Sequence, residues 1–237
     1  MASMRAMILA AGRGERMRPL TDRCPKPLLP AGGKPLIEWH IERLAAAGIR
    51  ELVVNHAHLG PMIEAALGDG SRWGLSIAYS AEATALETAG GIANALPLLG
   101  DDPFLVVNGD TWCDFDPGRA RTIAQQMAAA RLDAWCVLVP NPQHHPAGDF
   151  GIVEGLLSND ALPRLTFSGI GVYHPRLFEG IGASTRAALA PLLRAAAAQR
   201  RAGAQLHSGT WIDVGTAQRL ADLDAQLRSA RRARAPI

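Results

Sequence analysis

Short apolar runs alternate along the chain with longer segments in which apolar residues recur every three or four positions. The short runs predict β-strands and the longer segments predict amphipathic helices. Strands that alternate with helices indicate a parallel, doubly wound sheet with right-handed crossovers. We therefore predict an α/β fold built on a mostly parallel, Rossmann-like sheet. The predicted strands span residues 5–10, 51–56, 75–80, 103–110 and 133–140, and the predicted helices span 35–48, 61–67, 90–99 and 120–132.

The pattern changes after about residue 140, where a loop rich in His, Pro and Gly is followed by short apolar runs. These runs predict a small antiparallel elaboration that forms one side of a cleft. The chain has no internal repeat and no long linker, so we predict a single domain over residues 1–237, with a core at about 5–140 and a second part at about 141–237. The elements predicted in the second part are strands at 150–153, 164–167 and 169–173, a helix at 184–203, a strand-like run at 205–215 and a closing helix at 216–230.

Composition narrows the class of protein. A content of 48% hydrophobic and 19% charged residues is typical of folded globular proteins. The formal charge of +2 is too small to indicate a nucleic-acid surface, and the basic terminal segment is expected to be a solvated tail. The sequence has no apolar run of membrane-spanning length and no secretory signal. Three cysteines without paired spacing suit a reducing compartment, so we expect a cytoplasmic protein without a membrane partner.

The loop after the first strand reads LAAGRGERMRPLTDRCPKPLLP and combines open backbone with positive charge. Ligands of open α/β sheets bind beyond the carboxyl ends of the strands. Gly12 and Gly14 allow backbone amides to approach an anion closely. Lys26 is one of only two lysines among 24 basic residues, and the prolines on either side predict an extended, stiff backbone. A compact ammonium at this place suits contact with a phosphate.

Two common phosphate-binding motifs are excluded for this loop. A dinucleotide fingerprint requires Gly where the chain has Met17, and no helix can run through Pro19. A Walker loop requires a Gly-Lys-Ser/Thr ending, which is missing. Asp110 and Asp213 each follow an apolar run and precede or follow a glycine, but from the sequence alone a strand-end Asp is more often a turn or cap residue.

The segment GRGERMRPLT followed by PKP resembles the signature of the sugar-phosphate nucleotidyltransferases, the NDP-sugar pyrophosphorylases. The resemblance implies attack by a sugar 1-phosphate on the α-phosphorus of a nucleoside triphosphate, with release of pyrophosphate. It implies Mg²⁺ as cofactor, held by Asp110 and Asp213, and catalytic roles for Arg16 and Lys26. The nucleotide-binding residues that it implies are Ala11, Gly12, Gly14, Glu15, Arg16, Lys26, Thr88, Gly90 and Gly91, and the sugar-binding residues are Asn108, Asp149, Gly151 and Glu154. Thr88 is also predicted to cap a helix.

The whole layout looks most like the short uridylyltransferases of this family that act on N-acetylmuramate 1-phosphate. The resemblance implies formation of UDP-N-acetylmuramate from UTP in the recycling of cell-wall sugar. The lack of an added C-terminal domain leads us to expect a monomer. Mannose-1-phosphate guanylyltransferase, which uses GTP, and a non-catalytic sugar-nucleotide sensor are the alternatives.

The chain departs from many relatives on the acceptor side, because no lysine follows Lys34 and the Glu-Lys-Pro segment that holds the sugar phosphate is absent. Arg164 or another arginine is expected to take its place. For His144 and His145, contact with the acceptor is favoured over a metal role, because no third ligand stands at metal spacing.

Overall fold

The computed structural model describes residues 4–234 and contains thirteen strands and six α-helices in that range. The strands are β1 (Arg5–Leu9), β2 (Pro30–Ala31), β3 (Lys34–Pro35), β4 (Glu51–His56), β5 (Ser76–Ala81), β6 (Phe104–Asn108), β7 (Thr111–Cys113), β8 (Ala134–Val139), β9 (Gly151–Val153), β10 (Leu156–Ser158), β11 (Thr166–Tyr173), β12 (Ala202–Leu206) and β13 (Trp211–Asp213). The helices are α1 (Leu36–Ala46), α2 (Gly60–Leu67), α3 (Glu87–Leu99), α4 (Arg119–Ala130), α5 (Leu189–Ala198) and α6 (Ala217–Arg234). Within residues 4–234, no helix has both the length and the apolar character that crossing a bilayer requires.

Nine strands form one sheet in the order β5-β4-β1-β6-β11-β8-β12-β10-β9. Strands β5, β4, β1 and β6 run parallel to one another, and β8 runs parallel to β12. Two small ribbons, β2–β3 and β7–β13, lie outside this sheet. The predicted α/β fold with a mostly parallel sheet is confirmed.

Strand β11 differs from the prediction in both length and place. The two short runs predicted at its position form one strand with an irregular register between Phe167 and Ile170. It lies antiparallel between β6 and β8, in the middle of the sheet. The antiparallel pairing expected after residue 140 is therefore present in β11, but its place at the centre of the sheet was not predicted, because periodicity does not identify the partner of a strand.

Alternate residues of the central strands face two different cores. Ile8 of β1 packs with α1, α2 and α4 on one face, whereas Met7 packs with α3 and α5 on the other. The period-2 alternation of strand side chains produces this division, so both faces of the sheet are apolar and covered.

A third apolar cluster joins the first loop to the end of the chain. Leu220, Leu223 and Leu227 of α6 pack against Met17 and Leu29 of the first loop. The contact is reinforced by the backbone N–H of Gly32, which donates to Asp224 at 2.8 Å. Helix α6 therefore covers the loop that follows β1.

The helix predicted over residues 184–203 is shorter in the structure, where α5 spans Leu189–Ala198. The chain just before it pairs instead with the start of α3. Ala187 donates its N–H to Leu86 at 3.0 Å, and its carbonyl accepts from Ala89 and Gly90 at 3.0 Å each. These tertiary hydrogen bonds replace the helical ones that local propensity favours.

We predict that Leu223→Ala lowers the free energy of unfolding by about 2–5 kcal/mol, because it leaves a cavity in the third cluster. The matched control is Gln226→Ala, on the exposed side of the same helix, which should change stability by less than about 0.5 kcal/mol. Urea denaturation of the wild type and of the two variants measures both effects. Equal midpoints for all three would show that α6 contributes no apolar packing to the fold.

Candidate functional site

A cavity of about 420 Å³ opens at the carboxyl ends of β1, β4 and β6, where the strand order predicts a ligand site. The first loop, the start of α3 and the end of β6 form its walls. Its lining residues are Leu9, Ala10, Ala11, Gly12, Gly14, Glu15, Arg16, Lys26, Pro27, Asn55, Ala85, Glu87, Thr88, Asn108, Asp110 and Gly215. The structure therefore brings together Asp110 and most of the residues that the sequence predicts for the nucleotide.

The two glycines of the first loop occupy different environments. Gly14 has φ +69°, and a Cβ added there would lie 2.9 Å from Thr21 Cγ2. Its carbonyl accepts from the Thr21 hydroxyl and from the Met17 N–H, both at 2.9 Å, so the loop turns tightly at this point. A Cβ at Gly12 would meet no atom within 4 Å, because this residue faces the open cavity. The left-handed backbone conformation at position 14 favours glycine, whereas Gly12 leaves space for a ligand.

Lys26 is buried, with a side chain that is 7% exposed, and its Nζ donates to Asp110 Oδ2 at 2.7 Å. The prediction of an extended backbone at Lys26 is wrong: Lys26–Leu28 form one turn of 3-10 helix. Hydrogen bonds from Leu28 N–H to the Pro25 carbonyl and from Leu29 N–H to the Lys26 carbonyl close this turn. Neither bond needs an N–H at the intervening proline, so the turn is compatible with it.

Asp110 and Asp213 meet through the small ribbon β7–β13. Asp213 lies opposite Thr111 in this antiparallel pair, and the Val214 N–H donates to the Asp110 carbonyl at 3.1 Å. Gly109 allows the chain to pass close to the end of β1 as it leaves β6, since a Cβ there would lie 2.7 Å from the Leu9 carbonyl oxygen.

The ribbon is anchored from below by His40 of α1. Its Nε2 lies 2.7 Å from the Thr111 carbonyl oxygen, and the side chain is buried. Burial lowers the pKa of His40 to about 4, so the ring is neutral at pH 7 and donates this hydrogen bond. A neutral side chain thereby holds Thr111, the residue next to Asp110, in place.

Each of the two carboxylates is hydrogen-bonded through Oδ2. Asp110 Oδ2 accepts from Lys26, and Asp213 Oδ2 accepts from Arg219 Nη1 at 2.6 Å and lies 3.2 Å from His144 Nε2. Among residues 4–230, neither Oδ1 atom has a hydrogen-bond partner. Carboxylate oxygens of this kind are the hard ligands that a divalent cation prefers.

Two side chains that the sequence analysis missed connect the first loop to the α3 side of the cavity. Asn55 Oδ1 accepts from the Ala10 N–H at 2.9 Å, and Asn55 Nδ2 donates to Glu82 Oε1 at 2.6 Å. Glu82 Oε2 in turn accepts from the Leu86 N–H at 2.9 Å. Both side chains are buried, so this chain of bonds fixes the two walls relative to each other. Their position at the ends of two predicted strands was the signal available in the sequence.

Helix α3 begins at Glu87, and its N-cap is Leu86, which makes no side-chain capping bond. The prediction that Thr88 caps this helix is therefore wrong. Thr88 lies inside the first turn, where it lines the cavity. Gly90 and Gly91 lie behind the wall. A Cβ at Gly90 would lie 2.2 Å from the Thr185 carbonyl oxygen, and one at Gly91 would lie 2.8 Å from Glu82 Oε1. Both glycines allow close packing that supports the wall, and their contact with a nucleotide stays a prediction.

The residues predicted for the sugar are dispersed. Asn108 lines the cavity. Asp149 is bound on both oxygens, by His145 Nε2 at 3.0 Å and the Phe167 N–H at 2.8 Å. A Cβ at Gly151 would lie 2.3 Å from the Ala161 carbonyl oxygen. Glu154 is exposed and lies 3.5 Å from Arg200. Only Asn108 of these four predicted residues belongs to the cavity lining, and the sugar contacts of the other three stay predictions.

A separate group of possible metal ligands, Cys113, Asp114 and His207, lies at the other end of β7. Its polar atoms are engaged with one another, because His207 Nε2 lies 2.7 Å from Asp114 Oδ1 and the Cys113 sulfur accepts from the Phe115 N–H. Burial raises the pKa of the Cys113 thiol to about 11, which keeps it protonated. The hydrogen bonds within the group account for these side chains without a ligand.

Comparison with known proteins agrees with this geometry. Residues 5–162 match the family model described as nucleotidyl transferase. The chain is 55% identical to N-acetylmuramate alpha-1-phosphate uridylyltransferase of Neisseria meningitidis serogroup B over 94% of this chain and 97% of that protein. It is 35% identical to the Caulobacter vibrioides protein of the same name over 95% of this chain and 97% of the relative.

Two further proteins resemble this chain, one in the sequence of a part of it and the other in its fold. Mannose-1-phosphate guanylyltransferase of Mycobacterium tuberculosis is 44% identical over 44% of this chain and 29% of its own length. A crystal structure from Bacillus anthracis, described as a candidate glucose-1-phosphate thymidylyltransferase, superposes with a TM-score of 0.81 and 22% identity, covering 95% of this chain and 96% of that one. Because the family model matches residues 5–162 and the Neisseria meningitidis relative matches almost the whole chain, this chain belongs to the nucleotidyl transferase family.

Proposed function

We propose that this protein transfers a uridylyl group from UTP to N-acetylmuramate 1-phosphate, forming UDP-N-acetylmuramate and pyrophosphate for the recycling of cell-wall sugar. The observation that carries the reaction class is the meeting of the first loop, Lys26 and the Asp110–Asp213 ribbon at one cavity. The choice of substrates rests on the likeness to the Neisseria meningitidis relative over almost the whole chain.

The proposed transfer is a single displacement at phosphorus. An oxygen of the acceptor phosphate attacks the α-phosphorus of UTP, a new P–O bond forms, and the bond to the β-phosphate oxygen breaks as pyrophosphate leaves. The attacking oxygen is already ionised at neutral pH, so no general base is needed. The protein's task is to position two anions and to balance their charge.

The residues of the first loop suit the triphosphate. Gly12 leaves open space at the cavity wall, and the backbone at Ala11 and Glu15 lines the same wall. Arg16 and Lys26 add positive charge there. We assign them to charge balance on the reacting phosphates, because preorganised cations act strongly in a site that excludes water.

Asp110 and Asp213 are proposed to hold Mg²⁺ through their Oδ1 atoms. A divalent cation bound there supplies the positive charge that lets two phosphates approach each other. The chain itself keeps both carboxylates in place in the absence of a cation, through Lys26 on one and Arg219 on the other.

The α3 side of the cavity is proposed to receive the uracil and ribose, with Thr88 and Asn108 on its walls. The part of the chain after residue 140 is proposed to hold the acceptor sugar, in a monomeric, cytoplasmic enzyme. Two alternatives are tested below: a GTP-dependent mannose-1-phosphate guanylyltransferase, whose M. tuberculosis relative matches less than half of this chain, and a non-catalytic sensor.

We expect pyrophosphate release to be fastest with UTP and N-acetylmuramate 1-phosphate when UTP, GTP and dTTP are each paired with the 1-phosphates of N-acetylmuramate, N-acetylglucosamine, glucose and mannose. The matched muramyl and glucosaminyl acceptors differ only in the lactyl group. A maximum with GTP and mannose 1-phosphate would support the guanylyltransferase instead, and folded protein that is inactive with every pair would support the sensor.

We expect Asp110→Asn to lower turnover by about 10²–10³-fold, as the loss of one preorganised electrostatic group does in other enzymes. The amide keeps the size of the side chain and an acceptor for Lys26, so the melting temperature should change little. Calorimetric titration with Mg²⁺ should show weaker binding. Asp116→Asn, at an exposed turn on the same segment, is the control that should keep both properties. Normal Mg²⁺ affinity in Asp110→Asn would contradict the metal assignment.

We expect Gly12→Ala to raise the KM for UTP by about tenfold or more while leaving the free energy of unfolding within about 0.5 kcal/mol, because the added methyl group meets no protein atom and enters the space proposed for a phosphate. Gly14→Ala should instead lower stability by about 1–2 kcal/mol through its left-handed backbone. Steady-state kinetics and urea denaturation separate the two effects. Unchanged UTP kinetics in Gly12→Ala would place the triphosphate elsewhere.

A further inference from the structure

Arg219 is held at the edge of the cavity by three neighbours. Its Nη1 donates to Asp213 Oδ2 at 2.6 Å and lies 2.9 Å from His144 Nε2, and its Nε donates to the Thr216 hydroxyl at 3.3 Å. The side chain is largely shielded, with 24% of it exposed. These contacts fix a guanidinium group that neither the family match nor the sequence analysis assigns to the site.

The remaining nitrogen of this guanidinium lies beside Gly215, a residue of the cavity lining. Among residues 4–230, no hydrogen-bond partner contacts Arg219 Nη2. A Cβ added at Gly215, which lines the cavity, would lie 2.9 Å from Arg219 Nη2 and 3.0 Å from Arg16 Nη2. Two arginines from opposite ends of the chain therefore converge over one glycine, where a side chain would separate them.

The two guanidinium groups flank a single carboxylate above Gly215, so the charge at this point is net positive and favours an anion. Like charges repel, and Asp213 is the carboxylate beside them, with its Oδ1 3.1 Å from the same point above Gly215. If Asp213 binds a divalent cation, the local charge becomes more positive still. A phosphate can satisfy both arginines, because guanidinium donors match its oxygens in geometry and charge.

The acceptor phosphate is the anion that this position favours. Arg219 contacts the carboxylate that is proposed to bind the metal beside the reacting phosphorus, and the 1-phosphate of the acceptor must reach the same point to attack. The lactyl carboxylate is attached to a different carbon of the sugar ring and takes no part in the attack. Arg164, which the sequence suggested for this role, instead donates Nη2 to the Asn159 carbonyl at 2.7 Å.

We propose that Arg219 binds the 1-phosphate of the acceptor sugar through Nη2, and that His144 is a positioning residue that holds Nη1 so that Nη2 faces the cavity. This inference rests on the proposed function, because it concerns the acceptor of that same reaction. It assigns the acceptor-side cation to an arginine of α6 in a chain that has no lysine after residue 34.

The test compares Arg219→Gln with the matched control Arg228→Gln, which removes an exposed arginine from the same helix. Calorimetry measures the binding of N-acetylmuramate 1-phosphate and N-acetylglucosamine 1-phosphate, and initial rates give KM for each substrate. Arg219→Gln should weaken binding of both sugar phosphates by about 10- to 100-fold, as expected for a charge-assisted hydrogen bond. The KM for UTP should stay within about twofold, and Arg228→Gln should match the wild type.

Two further measurements separate this role from a purely structural one. Mn²⁺ binding, used as a probe of the carboxylates, should be undiminished in Arg219→Gln, because the variant removes a competing cation from Asp213. His144→Ala should weaken acceptor binding in the wild-type background and add no further loss in Arg219→Gln, which is the coupling expected of a positioning residue. Weakened Mn²⁺ binding, or additive losses in the double variant, would overturn the proposal.

The outcomes also distinguish this inference from the proposed function. A loss confined to the muramyl sugar would mean that Arg219 binds the lactyl carboxylate, and unchanged binding of both sugars would remove Arg219 from the acceptor site. Either result overturns the inference while the uridylyl transfer stands. If the wild type binds another sugar 1-phosphate best, the muramyl assignment fails, and the same variants measured with that sugar still test Arg219.

Discussion

The site depends on the register of two three-residue strands. The ribbon β7–β13 lies outside the main sheet, yet it alone brings Asp110 and Asp213 from distant parts of the chain to one edge of the cavity. A shift of one residue would turn one carboxylate to the opposite face. The ribbon is held from several sides, by His40 beneath Thr111 and by Trp112 and Val214, which pack in the third cluster.

This register has an electrostatic cost that the fold offsets. Two carboxylates that face one cation site repel each other, by about 4 kcal/mol if they lie ~4 Å apart at an effective dielectric constant of 20. Each of them has a basic partner of its own, Lys26 for Asp110 and Arg219 for Asp213, and both partners reach Oδ2. The protein alone is therefore balanced, and the arrangement leaves one oxygen of each carboxylate for a cation.

Much of the fold followed from periodicity, because the apolar strands β1, β4, β6 and β8 are buried on both faces and bounded by turns. The central position of β11 was not predicted, because its pairing depends on strands remote in sequence, which local sequence does not record. The segment before α5 has helical composition, but hydrogen bonds to α3 decide its conformation.

Only part of the candidate site was predicted, again because contacts between segments remote in sequence cannot be read from local sequence. Lys26 and Asp110 stand in continuous motifs, and the structure places them in contact. The proline pair suggested an extended backbone at Lys26, where two backbone hydrogen bonds form a turn. Asn55, Glu82 and Arg219 were missed, because their importance comes from partners remote in sequence. Side-chain pairings of this kind depend on three-dimensional register and leave no short motif.

The cover that α6 provides for the first loop has a consequence for the order in which the protein matures. Leu220, Leu223 and Leu227 are synthesised roughly 200 residues after Met17 and Leu29, against which they pack. The central sheet can begin to form during translation, but the loop that follows β1 lacks its apolar support until α6 emerges. The cleft is thus completed only after α6 has been synthesised, and a nascent chain exposes this loop until then.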